Sequence, residues 1–242
     1  MRLFLSFIVF CLVLGLNMTP AYGQISVRID THTGEFIVQT VIKKTIENDV
    51  LKKENLTYKR IYTVDNLDDN EQITSREKEE IVSVERGGKE RLIQKNGKPV
   101  NRGRTSSPRF DLIKVLEAMV KLDSFNVVSI EMMGERPHYV VSFEPKPHQK
   151  TDGNVEEVIV RSRGIMYVDI EKFYVKKISA WMTRSYSRVW GIFSLTRANI
   201  DMEQEDFNGI IVMKSIVITD RYSFFGDTYE RHMYLYTDYV RN

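Results

Sequence analysis

NGIIVMKSIVITDRYSFFGDTYERHMYLY, residues 208–236, decides the fold. It opens on Asn208-Gly209, a pair that tolerates positive φ and so seeds a tight turn. Residues 210–219 are dominated by Ile and Val, whose branched side chains fit the pleated, half-buried backbone of a strand. Residues 221–225 and 229–236 repeat that character around a second turn pair, Gly226-Asp227, with Asp220 marking a break between the first two strands. Turn and strand alternate at the spacing of an antiparallel meander.

Working upstream, the same pattern recurs over residues 125–132, 139–143, 155–160, 165–170, 173–182 and 189–200, with Gly134 and Gly153 in the gaps. The N-terminal third differs. From Gly34 to about Leu51 the residues Val38, Val41, Ile42, Ile46 and Val50 recur mainly at intervals of three and four. That is an amphipathic helix, with Thr33 as cap and Glu35 in the first turn. Residues 58–64 and 81–84 then form a hairpin around a polar, acidic tip, and Gly87-Gly88 and Asn96-Gly97 turn the chain on either side of residues 91–94. A loop over 101–107 leads to a second helix, residues 108–121, capped by Ser107 with Pro108 at its first position. Leu112, Val115, Leu116, Met119 and Leu122 give it an apolar face. The expected fold is one α+β domain over residues 24–242, two helices on one large antiparallel sheet. A sheet of this size curls or exposes an apolar face.

Residues 1–23 read as a secretory signal peptide: Arg2, an uncharged apolar run over 3–16, then Ala21-Tyr22-Gly23 as a small-residue cleavage site. The run is shorter than the roughly 20 residues needed to span a bilayer. Cys11 lies inside it; acylation there would instead tether the protein to a membrane, but bulky Phe10 precedes it where small residues are normal. Without residues 1–23 the chain holds no cysteine, so it forms no disulfide and offers no thiol nucleophile. The formal net charge is only +2 for the whole chain, which argues against a nucleic-acid partner.

No GxSxG, P-loop or dinucleotide fingerprint occurs, so neither enzymatic activity nor a cofactor is expected. His32, His138, His148 and His232 lack the mutual spacing of a metal motif, and no metal is expected. Asp169 and Glu171, two apart, suit either a cation or an acid/base pair, or simply a solvated strand end entering a turn. Lys95, Lys98, Arg102, Arg104 and Arg109 form a basic stretch that suits anionic lipid or an acidic partner, or a solvated loop. The apolar strand faces say more. Tyr139, Val141 and Phe143 share one face, Met166, Val168 and Ile170 another, and Trp181, Trp190, Phe193 and Met213 add large or adaptable side chains. These ten residues are the candidate apolar lining of a ligand pocket, against the alternative of ordinary core beneath the helices. The residues alone favour core.

The strings YKRIYTVD (58–65), RLIQKNGKPV (91–100), HYVVSFEPKP (138–147), GIMYVDIEKFYVKKI (164–178) and NGIIVMKSIVITDRY (208–222), in that order behind a helix, resemble the outer-membrane lipoprotein-sorting proteins and their LolA-like relatives of Gram-negative bacteria. The resemblance covers most of the chain after residue 23 and rests on strand-and-turn signatures. It implies an incomplete, strongly curved antiparallel β-barrel whose concave face is covered by helices. It also implies a periplasmic carrier or binder of lipid or of lipoprotein acyl chains. Two other functions stay open: an envelope interaction or sensor module with a self-filled core, acting on a protein partner or membrane surface, and an exported hydrolase with convergent polar groups.

Overall fold

The structure, a computed structural model, describes residues 33–101, 105, 107–188, 193–224 and 226–241. The expected signal peptide, Cys11, His32, Arg102, Arg104 and Trp190 lie outside the described residues.

The described residues begin, after Thr33, with α1 (Gly34–Asn55), which runs straight into β1 (Leu56–Leu67), β2 (Ile73–Glu85), β3 (Lys89–Lys95) and the short β4 (Lys98–Pro99). Then come α2 (Leu112–Leu122), β5 (Asp123–Met133), β6 (Arg136–Pro145), α3 (Asn154–Ile159), β7 (Ser162–Asp169) and β8 (Val175–Met182). β9 (Tyr186–Arg188), β10 (Phe193–Phe207), β11 (Ile210–Phe224) and β12 (Asp227–Arg241) complete it. All strands join one antiparallel sheet in the order β4-β3-β2-β1-β12-β11-β10-β8-β7-β6-β5, with β9 beside β10. β4 and β5 are its two edges, so the sheet does not close. Bulges in β5, β8, β10 and β12 raise the local twist. The inner face, which carries α1 and α2, encloses one core to which β1, β12, β11, β10, β8, β7 and β6 all contribute. This is the expected curved antiparallel sheet with helices over one face.

α1 crosses the strands. Gly34 lies against the backbone of Phe125 in β5, where a Cβ would come within 2.6 Å of the Phe125 carbonyl oxygen. Asn48, fourteen positions on, bonds to the backbone of Ile211 in β11. A 22-residue helix is about 33 Å long, close to the roughly 34 Å of seven strand spacings from β5 to β1. Glycine at position 34 lets the first turn sit directly on the edge strand.

The Thr33 cap is present, its hydroxyl accepting the Phe36 N–H at 3.3 Å, but the helix runs one turn beyond Leu51. Lys52 and Lys53 occupy that last turn, where cations complement the dipole. The second helix starts at Leu112, not at Pro108, and its cap is Asp111, which accepts the Lys114 N–H at 3.2 Å. Ser107 is unavailable for capping because it is buried, its hydroxyl taking a bond from Arg60 and its N–H donating to Glu80.

Residues 155–160, expected as a strand, are mostly α3. Val155, Val158 and Ile159 follow helical spacing, and the carboxylate of Glu156 reaches back to the Asp152 N–H at 2.6 Å. Acidic side chains in a first turn favour the helix over the strand. The expected break at Asp220 is also absent, since β11 runs unbroken from Ile210 to Phe224.

Candidate functional site

β11 and β12 pair only from Ser215↔Leu235 to Ser223↔Asp227, whereas the end of β12 from Tyr236 pairs with β1. The start of β11 is therefore left without β12 on that side. Side chains take its place: the Asn48 amide donates to the Ile211 carbonyl at 2.6 Å and accepts the Ile211 N–H at 2.8 Å, and the Tyr239 hydroxyl donates to the Met213 carbonyl at 2.5 Å. Backbone groups that would otherwise be unpaired are thereby satisfied.

This parting of strands opens a cleft of about 450 Å³ between α1, the approach to α2, and the floor of β1, β2, β11 and β12. Its inner surface combines the apolar and aromatic side chains of Leu56, Tyr58, Val84, Ile113, Met213 and Tyr236 with buried Arg60 and Gln204. Its rim is charged of both signs, with Asp49, Lys52, Lys53, Glu90, Arg109 and Glu117. A smaller cleft, about 200 Å³, lies on the other side of the Asn48 clamp and shares Thr45, Asn48, Gln204 and Ile211 with the first. Volumes of roughly 300–1,000 Å³ with few polar groups are usual for small-molecule sites. Buried Arg60 anchors one wall: its guanidinium forms two bonds to Glu90, at 3.1 and 3.2 Å, and one to Ser107. The Tyr58 ring lies tilted against those of Tyr236 and Tyr239, and burial pushes the Tyr236 phenol up to about 12.

The ten lining candidates fall into separate places. Tyr139, Val141, Phe143, Met166 and Val168 are buried together in the main core, with Ile170 and Met213 packed against it. Among the nine of them that are described residues, Met213 alone lines either cleft. Trp181 is on the outer face of β8, partly exposed, with the Arg163 guanidinium over its ring at 5.7 Å. Phe193 is the first residue of β10, its ring 6.2 Å from that of Tyr222. The residues that form the cleft floor, Tyr58, Ile113 and Tyr236, come from β1, α2 and β12. No local pattern unites them; the double engagement of β12 brings them together.

Asp169 and Glu171 do not form a carboxylate pair. Asp169 is buried and its Oδ1 accepts the N–H groups of Glu171 and Lys172, shaping the turn into β8. Its other oxygen lies 3.6 Å from Arg136 and 4.0 Å from His138 Nε2. Of the basic stretch, Lys95 and Lys98 are exposed on the β3–β4 hairpin, and Arg109 bonds to Glu90 and the Gly88 carbonyl.

A second polar group stands at the opposite end of β11 and β12. Asp220 lies directly across from Glu230, and His232 follows two residues on, facing the same way. His232 Nε2 is 3.4 Å from Asp220 Oδ1 and 3.2 Å from Glu230 Oε2. Contact with the Asp220 carboxylate, opposed by burial and aided by Glu230, holds the His232 pKa above its ordinary value. Spacing among histidines does not reveal this group. The signal is Glu230-x-His232, two polar residues on one face of a strand.

No protein-family profile matches the chain, and no curated protein matches it. Solved structures similar to it include an outer-membrane lipoprotein-sorting protein domain from Vibrio parahaemolyticus, 9% identical with a TM-score of 0.38, covering 85% of this chain and 93% of that one. Another is a LolA superfamily protein from Nitrosomonas europaea, 12% identical with a TM-score of 0.34 over 87% of this chain and 94% of that one. A DUF1329 family protein from Desulfovibrio piger is 11% identical, with a TM-score of 0.33 over 85% and 93%. The first two descriptions are of the group that the strand-and-turn strings resemble. No ligand, partner or activity is carried across from likenesses of this size.

Proposed function

We propose that this chain is an exported, non-enzymatic binder or carrier of lipid or lipidated protein in the bacterial envelope, and that it buries an acyl chain in the cleft between α1, α2 and β1. The observation that carries this reading is the amphipathic build of the cleft, apolar and aromatic side chains, with Arg60 and Gln204 among them, beneath a rim of mixed charge. An acyl chain on the floor leaves its polar end among Lys52, Lys53 and Arg109. Burial is worth about 0.8 kcal/mol per methylene. The signal-like residues 1–23 supply the export route, and among the described residues no helix is long and apolar enough to cross a membrane.

Native mass spectrometry of the protein purified from its host tests the reading. An added mass that extracts as lipid is expected. Ligand-free protein that also ignores apolar fluorescent probes overturns it.

A second reading, an interaction module for an envelope protein, is favoured by a different observation. Edge strand β5 exposes Val128 and Met132 beside unpaired backbone, a surface suited to strand addition. Crosslinking in intact cells that recovers a partner through β5 supports it, and recovery of lipid alone excludes it.

A further inference from the structure

We propose that Asp220, Glu230 and His232 form a binding site for a divalent transition metal, with zinc as the ion the donor set fits. The three donors belong to two hydrogen-bonded strands, so the sheet itself holds them in place. Each has one atom facing the common point, and the second polar atom of His232 and of Glu230 is occupied elsewhere. His232 Nδ1 lies 2.9 Å from the Tyr62 hydroxyl, which leaves Nε2 turned inward. Glu230 Oε1 accepts the Tyr222 hydroxyl at 3.2 Å, which leaves Oε2 turned inward. Asp220 Oδ1 is shielded from solvent and makes no hydrogen bond of acceptable geometry.

The spacing fits as well. Tetrahedral zinc with bonds of about 2.0–2.2 Å to imidazole nitrogen and carboxylate oxygen separates neighbouring donors by roughly 3.3–3.5 Å. The observed separations are 3.4 Å from Nε2 to Asp220 and 3.2 Å from Nε2 to Glu230. All three donor atoms lie within 4.8 Å of one another. Two carboxylates neutralise the dication, and a neutral imidazole completes a set of three ligands with a fourth position for water. The tyrosines play the outer role that fixes ligand orientation in zinc sites.

Zinc binds a neutral imidazole and ionised carboxylates, so protons compete with it and binding weakens as the pH falls.

Isothermal titration of zinc chloride into the chain from Gln24 onward, which contains every described residue, tests this. One zinc per chain is expected, with affinity at least tenfold lower at pH 5.5 than at pH 7.5. Asp220→Asn and His232→Ala are each expected to weaken binding about 100-fold, and Tyr62→Phe, which keeps all three ligands, about tenfold. Cobalt(II) bound to the unsubstituted chain is expected to show the intense visible absorption of a tetrahedral site, a readout independent of any variant's folding. Absence of saturable zinc binding, undiminished binding in Asp220→Asn and His232→Ala, or the weak absorption of octahedral cobalt overturns the proposal.

Discussion

The two ends of β11 and β12 share one sheet face and use it differently. Toward the helices, Ile216 and Tyr234 join Val141, Met166 and Val168 in a packed core. Toward the far end the same face carries Asp220, Glu230 and His232. Between the core and α1, the parting of β12 from β11 leaves the cleft. Side chains that fill space thus make the core, while the open clefts and the polar cluster lie where strand pairing or helix cover stops.

The sharpest way to break this contrast is to hollow the core. Met166→Ala removes a fully buried side chain and is expected to cost about 2–5 kcal/mol by chemical denaturation. An equal loss in Asp220→Asn, measured without metal, contradicts the division.

Asp123, at the junction of α2 and β5, bears on the covered end through pH. Both its carboxylate oxygens are buried without a hydrogen-bond partner, and burial pushes its pKa up to about 7, partly offset by Lys146. The folded chain therefore holds this proton more tightly than the unfolded chain. Its contribution is greatest below pH 4 and is lost as pH rises toward 7, by roughly 2–4 kcal/mol. Asp123→Asn is expected to abolish that decline in denaturation curves taken from pH 4 to 8; an unchanged slope rules the assignment out.

Asn48→Ala removes the clamp that substitutes for the missing β12 pairing. A loss of about 1–3 kcal/mol is expected, with faster amide exchange at Ile211. Full protection of that amide in the variant shows that the clamp is not what closes β11.

Smaller again is Asp111→Ala, which unbinds the Lys114 N–H at the start of α2 and is expected to cost about 1 kcal/mol. The smallest effect belongs to Asp220→Asn without metal, about 1 kcal/mol or less for a partly exposed ion pair.

The sequence announces most of the fold because strand composition and turn pairs are local. Asn208-Gly209 does connect β10 to β11, and Gly226 lies in the connection from β11 to β12, whose first residue is Asp227. Two local readings miss for equally local reasons. Residues 155–160 are apolar enough for a strand, but Glu156 and Glu157 set a helix start; Ser107 resembles a cap, but Arg60 and Glu80 claim it across the fold. The candidate sites are less legible. Tyr139, Val141 and Phe143 are visible as one strand face, yet the cleft floor depends on where β12 stops pairing with β11 while staying paired with β1, a property of register. Nothing in the individual strings around Tyr58, Ile113 and Tyr236 marks that parting.

The central claim is that an acyl chain lies in the cleft and not over the β6 and β7 faces. Photolabelling the protein with a long-chain fatty acid that carries a diazirine near its methyl end, followed by peptide mass spectrometry, tests it directly. Labels on peptides containing Ile113, Met213 and Tyr236 are expected, and Ile113→Lys is expected to reduce them at least tenfold. Labels concentrated on residues 139–143 and 166–168, or no saturable labelling, contradict the claim.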